Sequence, residues 1–121
     1  MNHQTDRELL ELAAKAAGLR IKRREEHSFV VWNECDGPWY WNPLVDEGDA
    51  LRLVVKLGLS VVPYPIYQPE KHSVVVKQRR LSDTMREANP TQVIELYGSD
   101  PYAATRRAIT KAAAEVAKAG G

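Results

Sequence analysis

Trp39, Tyr40 and Trp41 stand consecutively in a stretch, residues 33–50, that is broken by Gly37-Pro38 and Asn42-Pro43. Aromatic faces in such a connection suit stacking on a base, a sugar ring or a partner's side chain. The stretch is also acidic: Glu34, Asp36, Asp46, Glu47 and Asp49 carry five negative charges with no Lys or Arg among them. Together these residues outline a contact surface on Trp39, Tyr40, Trp41, Asn42 and Asp46 for a partner protein. The competing reading folds the indoles back as a lid on a sheet edge, since tryptophan is highly buried on average. Carboxylates beside Asn42 suit a hard cation, but the alternating Asp spacing of a calcium loop is missing, and helix capping accounts for Asp46 and Asp49. No metal is expected.

Cations gather elsewhere. Arg20, Lys22, Arg23 and Arg24 fall on one predicted strand and its exit, Lys77, Arg79 and Arg80 end another, and Arg106-Arg107 lie on the last helix. If the two strands pair, their cations form a stripe that contacts phosphates, which makes nucleic-acid binding the alternative function. The bland reading is a solvated face balanced by Glu25, Glu26 and Glu70. Lys plus Arg number 17 against 16 Asp plus Glu, a formal charge of +1, so the global field makes no case for DNA or an acidic membrane.

Catalytic groupings are sparse. His3, His27 and His72 lack the spacing of a zinc site. Cys35 with His27 or His72 sketches a thiol and its base, but no local motif supports the pair. Gly48 and Gly58 are spaced as helix punctuation and not as a phosphate loop. The sequence therefore points to a binding module rather than an enzyme, with no cofactor.

The elements that position these residues are marked by their ends. Thr5 with Glu8 forms a capping box before the stripe Leu9, Leu12, Ala13, Ala16 and Ala17, and Gly18 stops this first helix at residue 17. Asp46 or Asp49 caps a second helix to Leu57, ended by Gly58. Asp100 and Pro101 open an alanine-rich third. Strands are predicted at 19–24, 29–32, 59–67, 73–79 and 92–97, and Pro63 and Pro65 in 59–67, the first arm of the second hairpin, make it an edge or bulged strand. Residues 81–90 are ambiguous, and no segment repeats at a fixed period. The apolar runs Phe29-Val30-Val31-Trp32 and Val74-Val75-Val76 predict strands covered on both faces. The expected fold is thus α+β: a largely antiparallel sheet of four or five strands sandwiched between three helices, in the order α-β-β-α-β-β-β-α. At 121 residues it makes one domain, with 1–4 and 120–121 frayed at its ends.

Two segments look familiar. Trp41-Asn42-Pro43-Leu44 leads into Asp46 and Gly48-Asp49-Ala50-Leu51-Arg52-Leu53. The other runs Asp100-Pro101-Tyr102-Ala103-Ala104-Thr105-Arg106-Arg107-Ala108-Ile109. With the capped first helix they resemble the small proteins of tailed bacteriophages and prophages that carry a phage α/β/α (ABA) sandwich domain, from about Asp6 to Lys118. The resemblance implies a phage or prophage accessory protein in the bacterial cytoplasm, a partner protein of phage or host, and no carried-over catalytic residue. Residues 1–7 have no apolar core of a secretory leader, no run is long enough to span a membrane, and the single cysteine suits a reducing compartment. Monomer and homodimer are both compatible with the alanine-rich helix and the proline-bearing edge strand.

Overall fold

Every helix starts where a side chain takes the first free amides. The computed structural model describes residues 5–26, 28–35, 37–68, 72–78 and 92–119. Thr5 Oγ1 accepts from Glu8 N–H at 3.1 Å while Glu8 Oε1 accepts from Thr5 N–H at 2.8 Å, and α1 (Asp6–Ala17) follows. Asp46 accepts from Asp49 N–H at 2.8 Å to open α2 (Glu47–Leu57). Asp100 Oδ1 accepts from the amides of Tyr102 and Ala103 to open α3 (Pro101–Ala119). The first two helices end alike, on Gly18 and Gly58 with φ of 74° and 65°, a left-handed turn in which a Cβ is strained.

Six strands lie between them: β1 (Arg20–Arg24), β2 (Phe29–Trp32), β3 (Trp39–Trp41), β4 (Leu59–Pro63), β5 (Ser73–Gln78) and β6 (Gln92–Leu96). The class is α+β, but the expected single sheet is two. Strands β1-β2-β3 form one antiparallel sheet and β4-β5-β6 another. The extra strand is Trp39–Trp41, expected as part of a connection; its three residues pair in full with Phe29, Val30 and Val31. Leu59–Pro63 is an edge strand, as its prolines require, and turns away before Tyr67. The ambiguous 81–90 segment lies outside the described residues.

The order α-β-β-β runs twice before the last helix. From helix stripe to first strand the halves keep a constant offset. Leu10, Ala13, Ala14, Ala17, Gly18 and Leu19 match Ala50, Leu53, Val54, Leu57, Gly58 and Leu59. Identity is confined to Gly-Leu, which is why no repeat is visible in the bare sequence.

One core serves both halves. It joins Leu10, Ala13 and Ala17 of α1 to Phe29, Val31 and Trp41 of the first sheet, and Leu53, Val74 and Val76 to Ala108, Ala112 and Ala113 of α3. Helix α3 is buried around most of its circumference; it contacts α1, α2 and every strand of the second sheet. Alanine makes this possible, because a helix with methyl side chains lets its neighbours approach on several sides.

The expectation that both valine runs are roofed on both faces is corrected. In the second sheet Val62, Val75 and Ile94 align across the strands on the face away from the core, and Val62, Ile94 and Leu96 are exposed. In β2, Val30 is buried, yet its cross-strand partners are Arg23 and exposed Tyr40, not a helix. Among the described residues each sheet therefore has one face in the core and one that no helix covers.

Ala113 is fully buried in α3 within the shared core at which α1 and α3 meet. Ala113→Leu should cost about 1–3 kcal/mol in urea unfolding, the usual penalty for overfilling a packed core. A neutral result would show that the seam has room to spare.

Candidate functional site

Strand β1 is irregular, and the irregularity decides which cations face together. Arg20 pairs with Trp32 and Ile21 with Val31, but Arg23, not Lys22, pairs with Val30. Lys22 is the extra residue of a β-bulge. In a regular strand Arg20, Lys22 and Arg24 would share a face; the bulge instead puts Arg20 and Arg23 on one face, opposite Trp32 and Val30. Arg24 is turned to the core side, where its guanidinium reaches Glu11 of α1 through two hydrogen bonds of 2.8 and 3.0 Å. That pairing holds the Glu11 carboxyl below the usual carboxylate range. It takes Arg24 out of the expected cationic group.

The open face of the first sheet thus carries Arg20, Arg23, Val30, Trp32 and Tyr40, with Lys22 exposed at the bulge. The Arg20 guanidinium lies 4.9 Å from the centre of the Trp32 ring, a cation–π contact. Tyr40 is 65% exposed on the neighbouring strand. Arg23 donates to Glu25 at 2.8 Å, so its charge is partly matched. Among the described residues Arg20 and Lys22 have no carboxylate partner. Trp32 had no place in the sequence-predicted surface. The alternation of β2, which sends Val30 and Trp32 to the same side, is the signal that locates it.

The aromatic, acidic segment is divided by the same alternation. Tyr40 points outward, whereas Trp39 pairs with Val31 and Trp41 with Phe29 on the core side, and Trp41 is 1% exposed. Asn42 shapes the turn after β3: its Oδ1 accepts from Leu44 N–H, and its own N–H donates to Asp49 Oδ2 at 2.9 Å. Asp46 is the cap of α2. Of the three aromatics in the expected contact surface, Tyr40 is the one that is exposed. Glu34 and Glu47 are exposed; Asp36 lies outside the described residues.

Asp49 is nearly buried, and burial raises its carboxyl above its ordinary range against the help of Asn42 N–H and of Arg52, 3.0 Å away. Nearby Asp46 adds to the rise.

The second cationic cluster does not join the first. Lys77 is exposed on β5, in the other sheet from β1, so the expected combined stripe is absent; Arg79 and Arg80 lie outside the described residues. Arg106 and Arg107 are used internally, Arg106 on the Leu44 carbonyl and Glu47, Arg107 on Asp6. Cys35 is exposed in the β2–β3 connection, while His72 precedes β5 with its ring against the Ile66 carbonyl; His27 is outside the described residues. Among the described residues no group of His, Cys, Asp or Glu is arranged to hold a metal ion, and no helix is long and apolar enough to cross a membrane. No family model, curated protein or solved structure matches the chain.

Trp41→Ala should destabilise the protein by about 3–5 kcal/mol, the range for emptying a buried aromatic site. Tyr40→Ala should change stability by less than about 0.5 kcal/mol, as for an exposed position. Equal effects in thermal melts would mean that β3 does not present alternate faces.

Asp49 yields a pH signature. A carboxyl whose folded pKa is raised binds more protons in the native state, so its contribution is present below the unfolded pKa and is lost as pH rises through the folded value. Asp49→Asn keeps an acceptor for Asn42 N–H without the charge. Its stability relative to wild type should therefore climb as pH rises from about 4 and then level off. A relative stability that falls over this interval would mean that Arg52 outweighs burial.

Proposed function

We propose that this chain is a non-catalytic binding module that takes single-stranded nucleic acid on the open face of its first sheet. The observation that carries the reading is the Arg20–Trp32 stack beside exposed Tyr40 and exposed Lys22. Unstacked bases bind exposed aromatic rings and stacked guanidinium planes, at about 1–3 kcal/mol per base, while nearby cations take the phosphates. A flat strand surface offers rings at the spacing of the ladder, and a duplex, whose bases are already stacked, has little use for it.

The dimensions set the scale. Three strands about 4.8 Å apart and four residues of about 3.3 Å rise make a platform for roughly two or three nucleotides. Three cations on that platform fit a chain of formal charge +1. Affinity is accordingly modest and local.

A partner protein seated on the 33–50 segment is the less favoured reading, since Trp41, Asn42 and Asp46 already serve the turn and the helix start. The resemblance to phage ABA-sandwich proteins supports a second part of the proposal: an accessory protein of phage or prophage type acting in the bacterial cytoplasm. Both familiar segments are helix starts, so they support kinship and carry no activity.

Fluorescence anisotropy with labelled eight-nucleotide oligo-dT and oligo-U tests the platform. Three phosphate contacts give a slope of about −2 in log K against log salt. Arg20→Ala should make that slope shallower by about 0.7, and Tyr40→Ala should weaken binding about tenfold with little change in slope. No binding at low salt, or tighter binding to duplex than to single strands, would remove this reading.

A further inference from the structure

A cleft of about 540 Å³ lies between α2, the edge strand β4, the turn that follows it and the first turns of α3. Among the described residues none of the first sheet lines it. Ala50, Tyr97 and Ile109 are its buried lining, while Leu51, Ile66 and Tyr102 are each more than half exposed. The surface it presents is almost all carbon. Its volume falls within the range of small-molecule sites, about 300–1,000 Å³. Concavity separates it from the flat apolar face of the second sheet, where Val62 and Ile94 are exposed.

The polar groups around the cleft decide what kind of molecule it takes. Glu47 and Arg106 are the charged side chains of the described lining, and they pair with each other at 3.3 Å. Thr105 Oγ1 donates to the Pro101 carbonyl, and the Tyr97 hydroxyl donates to the Tyr64 carbonyl. The starts of α2 and α3 would otherwise draw an anion, but both carry carboxylate caps: Asp46 accepts from Asp49 N–H, and Asp100 from Tyr102 and Ala103 N–H. A peptide added as a strand beyond β4 needs backbone donors at the rim. Pro63 and Pro65 have none, and Tyr64 N–H is spent on the Ser73 carbonyl at 3.0 Å. The groups at hand thus disfavour an ion and a strand alike, and burial of carbon is the interaction left for the cleft to offer.

We propose that this cleft binds a small uncharged molecule carrying an aromatic ring, packed against Leu51, Val54, Ile66 and Tyr102 and held by buried area rather than by hydrogen bonds. The site shares no side chain with the Arg20–Trp32 platform, so loss of one and loss of the other are read separately.

Naphthalenemethanol is the probe, with naphthoate and naphthylmethylammonium as charged molecules of the same ring. Each is titrated into the full chain while the methyl groups are followed by carbon–proton correlation spectra. The neutral probe should give saturable shifts at Leu51, Val54, Ile66 and Ile109 and none at Val62 and Ile94, and both ions should bind about tenfold more weakly or worse. Tyr102→Ala, at an exposed position, should leave the melting temperature unchanged and weaken the neutral probe about three- to tenfold, as for loss of one aromatic pair. Leu51→Glu keeps a good helix former at another exposed position and sets a charge on the wall; it should weaken the probe about tenfold. Equal shifts at Val62 and Ile94 would mean adsorption to any exposed apolar surface and overturn the proposal. So would the absence of shifts at millimolar probe, an ion that binds as tightly as the alcohol, or binding undiminished in both variants. Shifts of the cleft methyls on concentrating the protein without probe would give the cleft to a second copy of the chain and overturn it as well.

Discussion

The seam between α1 and α3 is the contact on which both halves of the molecule hang. It is the most extensive contact between two helices, and it is made largely of alanines that are excluded from solvent. Methyl side chains lose little rotamer entropy and leave no bulk between the backbones, so one helix can serve several neighbours at once. Helix α3 uses that freedom on several sides. It lies against α1 and α2, covers Val74 and Val76 of the second sheet, and anchors Glu95 of β6 through Lys111 at 2.8 Å. The first sheet reaches the same seam through α1, whose Glu11 holds Arg24 of β1. Without close helix approach the two sheets would have separate cores, each too small for a chain of this length to hold firmly.

Helix ends were legible in the sequence because capping is local: Thr5, Asp46 and Asp100 each act on amides two or three residues away. Strand partners were not, because pairing is decided across the chain. Trp39–Trp41 is only three residues long and sits between Pro38 and Asn42-Pro43, so local chemistry reads it as a connection; what makes it a strand is β2 alongside. The valine runs misled for a related reason. A continuous apolar stretch signals burial on both faces, yet Val30 is buried by cross-strand side chains, and Val75 faces an open apolar surface. The period of hydrophobicity reports that a residue is covered, not by what.

The nucleic-acid candidate residues were partly legible in the same sense. Residue types in 20–24 announced a cationic strand, but the bulge at Lys22 decides which cations cooperate, and a bulge leaves no mark in composition. It shifts Arg23 into line with Arg20 and sends Arg24 to the helix side. One inserted position thus divides a run of similar residues between a surface that meets solvent and a strut that holds the sheet to α1. The same alternation on β3 gives Tyr40 to the open face and Trp39 to the core side.

The segments that open α2 and α3 meet physically. Arg106, in the segment that opens α3, donates to the carbonyl of Leu44 at 2.9 Å and pairs with Glu47, both in or beside the segment that opens α2. Its side chain is largely buried, so the guanidinium needs these partners whatever the protein binds. Asn42, Asp46 and Asp49 form the complementary hydrogen-bonded corner on the α2 side. This junction fixes how the two helices start and cross, and it involves none of Arg20, Trp32 and Tyr40.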